Sequence, residues 1–156
     1  MPRIGVISDT HGLLRPEAIE QLAGCVHIIH GGDVGKESVL SELAKIAPVT
    51  AVRGNNDHGP WAELLPLAVQ VEIGGVKIHV VHDRADLKTS PAPEDCQLVV
   101  TGHSHKPEIK REGGVLFLNP GSAGPRRFKL PVSLAEVRVQ DGTPEAKIVG
   151  LAYSAA

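Results

Sequence analysis

"RIGVISDTHG", residues 3–12, begins as a nearly unbroken apolar run and ends in Asp-x-His before a glycine. A short run of this kind fits a strand buried on both faces. "PEAIEQLAG" (16–24) follows, with proline at a helix start and glycine at its end. "VHIIH" (26–30) supplies a second strand, and "PVTAVRG" (48–54) a third. Between them, "KESVLSELAKIA" (36–47) sets Val39, Leu40, Leu43 and Ala44 at helical spacing. This alternation predicts a parallel sheet with helical crossovers.

From Leu67 the texture changes. "LAVQVEIGGVKIHVVH" (67–82) is two strand-like runs joined by Gly74-Gly75, a hairpin signal. Further strands are expected in "CQLVVTG" (96–102), "KPEIKREGGVLFLN" (106–119), "VSLAEVRVQDG" (132–142) and "PEAKIVGLAY" (144–153), with turns at Gly113-Gly114 and Asp141-Gly142. The expectation is α/β: two packed sheets flanked by helices in one domain, residues 1–156. "LKTSPAPEDC" (87–96) reads as a mobile surface loop.

Composition narrows the function. Of 156 residues, 42% are hydrophobic, enough for one core. A net charge of -2 and 3% aromatic residues disfavour extended nucleic-acid binding. The N-terminal apolar stretch is too short for a signal segment or a membrane span, so a cytoplasmic protein without membrane association is expected. Cys25 and Cys96 lack C-x-x-C spacing and read as buried thiols. Exposed strand edges in the β-rich half admit a homo-oligomer.

Polar residues gather just after the expected strands, the edge where open α/β sheets bind ligands. Asp9 and His11 follow the first strand, Asp33 the second and Asn55 the third; His82, His103 and His105 follow later ones. Asp9/His11 and His103/His105 are each two residues apart, so in extended backbone each pair projects to one side. Imidazole, carboxylate and amide oxygen without thiolate suit Mn, Fe, Zn or Ni. A dinuclear site is the natural proposal, with Asp33 as the bridging carboxylate. Two divalent cations, two aspartates and one hydroxide leave about +1 to attract an anionic phosphate. A carboxylate in place of Asn55 would cancel that excess.

The ordered blocks "SDTHG", "GGDVG", "RGNND", "VVHD" and "TGHSHKP" resemble the calcineurin-like metallophosphoesterase family, and "LNPGSAGPRR" its small bacterial and archaeal phosphodiesterase branch. The similarity runs from Ile4 to about Arg127. It implies a four-layered αββα sandwich with two mixed β-sheets and a metal-dependent phosphodiesterase. Two divalent or transition-metal ions are implied, Mn foremost, with Ni, Zn or Fe as alternatives. Asp9, His11, Asp33 and His105 would hold one ion, and Asp33, Asn55, His82 and His103 the other. A metal-bridging hydroxide would attack phosphorus in line. The substrate would be a small phosphodiester, nucleotide-derived among the options. The alternative is a scaffold that keeps the fold without useful catalysis, as in the retromer subunit of this superfamily.

Other positions carry narrower expectations. The family usually has glycine after the histidine matched by His82, and here Asp83 follows. Many members have a leaving-group histidine where this chain has Asn56; an amide is no general acid, though it can hydrogen-bond a phosphoryl oxygen. Asn56 and the displaced His58 are therefore the catalytic candidates beside the metals. Asp57 is read either as a partner of a liganding histidine or as a loop cap, and His30 as a residue supporting the site. His27 and His79 read as packing or surface residues. Arg126 and Arg127 are candidates for the substrate phosphate, against a solvated basic surface.

Overall fold

The computed structural model describes residues 2–127 and 129–151. Ala152 and Tyr153, the end of the last expected strand, lie outside the described residues. The first half runs β1 (Arg3–Ile7), α1 (Pro16–Leu22), β2 (His27–His30), α2 (Glu37–Ala44), β3 (Val49–Ala51) and α3 (Pro60–Glu63). The second half contributes β4 (Ala68–Ile73), β5 (Val76–Val81), a 3-10 segment (Arg84–Lys88), β6 (Leu98–Val100), β7 (Glu108–Glu112), β8 (Val115–Asn119), β9 (Ser133–Gln140) and β10 (Thr143–Gly150). All three expected glycine hairpin turns are present, at 74–75, 113–114 and 141–142.

The strands form two five-stranded mixed sheets, ordered β10-β9-β1-β2-β3 and β4-β5-β6-β8-β7. β1, β2 and β3 are parallel as the β-α alternation requires, and the β9-β10 hairpin returns to add antiparallel strands beside β1. In the other sheet β5, β6 and β8 are parallel, with β4 and β7 antiparallel at its edges. The architecture is the expected α/β sandwich. Among the described residues, no helix is long and apolar enough to cross a membrane.

Side-chain alternation sorts two cores. Ile4 and Val6 of β1 join Ile78, Val80, Leu98, Val100, Leu116, Leu118 and Val137 between the sheets. Ile7 turns the other way, with Ile28 and Leu134, against Ala18 and Leu22 of α1 and Val39 and Leu43 of α2. Gly5 shares that outer face; a Cβ there would strike Leu22 Cδ2, so glycine lets α1 lie directly on β1. The outer face of the second sheet is covered more lightly. Arg84, from the 3-10 segment, lies over the Phe117 ring at 4.6 Å, and His79 Nε2 donates to the Ser90 carbonyl at 2.8 Å. The expected mobile loop is thus tied to the sheet.

Register places the site. Ile7 pairs with His30 and His30 with Ala51, so β1, β2 and β3 end level. Val80 pairs with Val100 in the second sheet. The following loops, 8–12, 31–35, 52–59, 82–83 and 101–105, therefore emerge along one end of the sandwich.

Candidate metal centre

Asp9, His11, Asp33, His103 and His105 all adopt left-handed backbone, with φ of 54°, 47°, 55°, 68° and 63°. The only other described non-glycine residue there is Asp141, in a hairpin turn. Such conformations are unfavourable for histidine and cluster where function demands them. They also correct the sequence reading: Asp9/His11 and His103/His105 lie beyond the ends of β1 and β6, and tight left-handed turns rather than strand alternation bring them together. Gly54 is equally constrained. A Cβ there would collide with the Asp33 backbone nitrogen and Oδ1, so only glycine lets the 52–59 loop approach Asp33.

Two groups of side chains result, Asp9/His11/His105 and Asp33/His82/His103, and within each the candidate ligand atoms lie within 4.8 Å of one another. His11 Nε2 faces His105 Nε2 at 3.3 Å, and Asp9 Oδ1 is 3.4 Å from His105 Nε2. Asp33 Oδ2 stands between the groups, 3.3 Å from His82 Nε2 and 3.7 Å from His11 Nε2. Asn55 Oδ1 is 3.2 Å from His103 Nδ1. All seven sequence-selected positions are brought together.

Buried polar atoms test whether this chemistry suits a cation. Asp9 is fully buried; its Oδ2 accepts from Ser8 Oγ and the His103 N–H, while Oδ1 has no hydrogen-bond partner. His82 Nδ1 donates to the Gly31 carbonyl at 2.7 Å, leaving the buried Nε2 without a well-directed hydrogen bond. An orphaned buried carboxylate oxygen is costly unless a cation meets it. Oxygen and imidazole donors aimed inward, with Asp9, Asp33 and His82 fixed from behind, fit first-row divalent metals.

Electrostatics agree. Burial opposes charge on His82, but Asp33, Asp9 and the Gly31 carbonyl overcome it and raise the imidazole to about 9. Burial likewise opposes ionisation of Asp33, yet the adjacent His82 imidazole, 3.3 Å away, and the two hydrogen bonds from Asn56 hold that carboxyl well below the usual range. Without metal, a proton on His82 fills part of the cation's role. Burial keeps His11 below its ordinary value despite Asp33 and Asp9, with Arg127 and His105 reinforcing the effect.

The supporting residues sort differently from their sequence reading. Asn56 donates its backbone N–H to Asp33 Oδ1 and its side-chain amide to Oδ2, so it grips a candidate ligand. His58 is exposed and makes no hydrogen bond or ion pair among the described residues. Asp57 does not touch a liganding histidine; its carboxylate accepts from the backbone N–H groups of Val34, Gly35 and Gly54, locking two loops together. His30 is fully buried, accepting from Gly32 N–H at Nδ1 and donating through Nε2 to Thr10 Oγ1, which donates to the Val34 carbonyl. Burial drives its imidazole down to about 4, so it supports the site as a neutral group.

Arg126 and Arg127 are exposed; Arg126 Nε reaches the Leu130 carbonyl, whereas Arg127 is close enough to act on His11. Asn119 ties the Gly102 carbonyl and Ser104 Oγ together, and Ser122 Oγ donates to the Asp9 carbonyl. Sequence reasoning missed Ser8 and Thr10, whose only signal was their adjacency to Asp9 and His11.

Comparison with known proteins extends these observations. Residues 2–142 match the family model described as the calcineurin-like phosphoesterase superfamily domain. A probable metallophosphoesterase of Methanocaldococcus jannaschii is 35% identical over 94% of this chain and 80% of its own length. Among solved structures, one described as a novel archaeal phosphodiesterase superposes with a TM-score of 0.76 at 23% identity, over 94% of this chain and 99% of that one. Wild-type Vps29 of Entamoeba histolytica, complexed with zinc, superposes with a TM-score of 0.72 at 25% identity, over 95% of this chain and 98% of that one.

Proposed function

The chain belongs to the calcineurin-like phosphoesterase superfamily, and from that membership we propose that it is a dinuclear metal-dependent phosphodiesterase. One observation carries the reading: two inward-facing sets of ligand-type atoms, Asp9/His11/His105 and Asp33/His82/His103, share the Asp33 carboxylate as a neighbour. Asp9, His11, Asp33 and His105 would hold one ion, and Asp33, Asn55, His82 and His103 the other. Bound divalent cations supply an activated water as nucleophile and neutralise phosphoryl charge.

The remaining work falls to the chain itself. Ser8 and the His103 N–H orient Asp9, the Gly31 carbonyl fixes the His82 tautomer, and Asn56 steadies Asp33. Arg127 places positive charge close enough to act on His11, which supports a role for it in drawing an anionic ester to the site. A cavity of about 240 Å³ beside Asn55, His82 and His103, lined also by Arg53, Gly54, Leu67, Asp83 and Asp86, gives room for a small ester arm. Manganese is the metal proposed first, with nickel, zinc and iron as competitors, since mixed imidazole, carboxylate and amide donors admit all four. The buried free thiols Cys25 and Cys96 support a cytoplasmic location, where such thiols stay reduced.

The experiment is reconstitution of metal-stripped protein with Mn, Ni, Zn or Fe, followed by hydrolysis of a panel of phosphomonoesters and diesters. Metal-dependent diester cleavage, lost in Asp33→Asn, supports the reading. A scaffold role is the second reading, favoured by the Asn56 replacement and the Vps29 likeness. Metal uptake without hydrolysis of any ester would select it.

A further inference from the structure

Asp83 stands where the family usually has glycine, and its carboxylate faces His103. Asp83 Oδ2 is 3.6 Å from His103 Nε2, while the opposite ring nitrogen, Nδ1, is 3.2 Å from Asn55 Oδ1. The two nitrogens of one imidazole thus look in opposite directions. One faces a candidate ligand oxygen of the metal centre and the other faces a carboxylate outside it.

The carboxylate is held in place by its own backbone. Asp83 caps the 3-10 segment: Oδ1 accepts from the Ala85 N–H at 3.1 Å, and the Asp83 N–H donates to Asp86 Oδ2 at 3.2 Å. One oxygen serves the cap, so Oδ2 remains for His103. His103 lacks the kind of anchor that His82 has. His82 is buried and fixed through Nδ1 by the Gly31 carbonyl, whereas the His103 side chain is 45% exposed and, among the described residues, no backbone acceptor holds its ring.

We propose that Asp83 is a positioning residue that completes a carboxylate–histidine–metal triad: His103 binds through Nδ1 and donates its Nε2–H to Asp83 Oδ2. This rests on the dinuclear reading above. A donor-acceptor separation of 3.6 Å lies just outside hydrogen-bond range and closes with a small ring rotation. The carboxylate then fixes the tautomer, orients the ring and raises its basicity toward the metal, an outer contact whose loss typically lowers affinity ~10–100-fold. Asp83 accordingly makes up locally for the exposure of its histidine.

Asp83→Asn separates this role from the cap. The amide oxygen still accepts from Ala85 N–H, but its NH₂ meets the His103 Nε2–H donor to donor. Metal-stripped wild type and variant would be titrated with Zn²⁺ against a chromophoric chelator, with long-range ¹H–¹⁵N spectra of the histidine rings recorded at each stage. The expected result is ~10–100-fold weaker binding of one of two zinc equivalents, with the other unchanged. In zinc-loaded wild type, His103 should show a metal-shifted Nδ1 and a protected Nε2–H, the latter lost in the variant. Two zinc affinities within about twofold of wild type, or His103 bound through Nε2, would overturn the triad while leaving the dinuclear site intact. Wild type taking up fewer than two zinc ions would overturn both.

Discussion

Asn56 holds Asp33 by both carboxylate oxygens, its backbone N–H reaching Oδ1 at 2.9 Å and its side-chain amide reaching Oδ2 at 3.0 Å. The residue that stands where the resemblance implies a leaving-group histidine therefore steadies a carboxylate lying between the two candidate ligand groups. Asn56→Ala keeps the backbone bond and removes the amide. Metal binding should weaken by up to about 10- to 150-fold, given ~1.5–3 kcal/mol for a hydrogen bond to a charged group. Chelator competition measures this, and unchanged affinity would remove the amide from any role in holding Asp33.

An amide at position 56 leaves expulsion of a poor leaving group unassisted. Aryl diesters should exceed alkyl diesters in single-turnover rate by ~10²–10⁴-fold beyond the gap seen in a member that has the histidine. His58→Ala should leave the ratio unchanged, because His58 is exposed and makes no hydrogen bond or ion pair among the described residues. Selective loss of the alkyl reaction in that variant would assign His58 the proton.

His82 predicts the pH dependence of metal binding. Its imidazole is raised to about 9, so the metal must displace its proton at neutral pH. Affinity should fall as pH drops below about 9. Calorimetry in buffers of different ionisation enthalpy should register roughly one proton released for the ion bound by His82. The sign for folding follows: in metal-free protein, protonation of His82 stabilises below its ordinary value of 6.5, a contribution lost as pH rises through about 9. Proton-neutral metal uptake at pH 7 would show that His82 is not a ligand.

His30 acts in the opposite direction. Burial lowers it from 6.5 to about 4, so the unfolded chain binds the proton first as pH falls. Its contribution is complete above 6.5 and disappears toward 4, a span worth ~3 kcal/mol. His30→Gln removes the titration, and its urea-unfolding stability should vary less between those pH values than that of wild type. Equal slopes would contradict a neutral buried imidazole.

Much of this was legible because strands and ligands share a pattern. The apolar runs at 3–7, 27–30 and 98–100 mark strands whose carboxyl ends deliver Asp9, Asp33 and His103. Residue type and position after strands could list the seven candidate ligands, but His30, Asp57, His58 and Asp83 also lie at or after strand ends, and the ordered family-like blocks separated the seven from these. The supporting contacts were not legible. Asn56 meets Asp33 across 23 positions and Asp83 meets His103 across the sheet, pairings set by tertiary approach and invisible to local spacing. Asp57 had two readings, and only the converging backbone N–H groups of Val34, Gly35 and Gly54 distinguish them. The left-handed turns were also hidden, since histidine gives no hint of φ near +60°.

Those turns govern how the centre should be dissected. At positions 9, 11, 33, 103 and 105, alanine scanning would mix two effects, because alanine loses the donor atom and also resists the positive φ. Asparagine and glycine accept that conformation readily, so Asn or Gly substitutions separate the lost side-chain chemistry from the backbone's own resistance. An Ala variant that unfolds while its Gly counterpart stays folded would be reporting on chain geometry, and only the Gly variant would report on the metal.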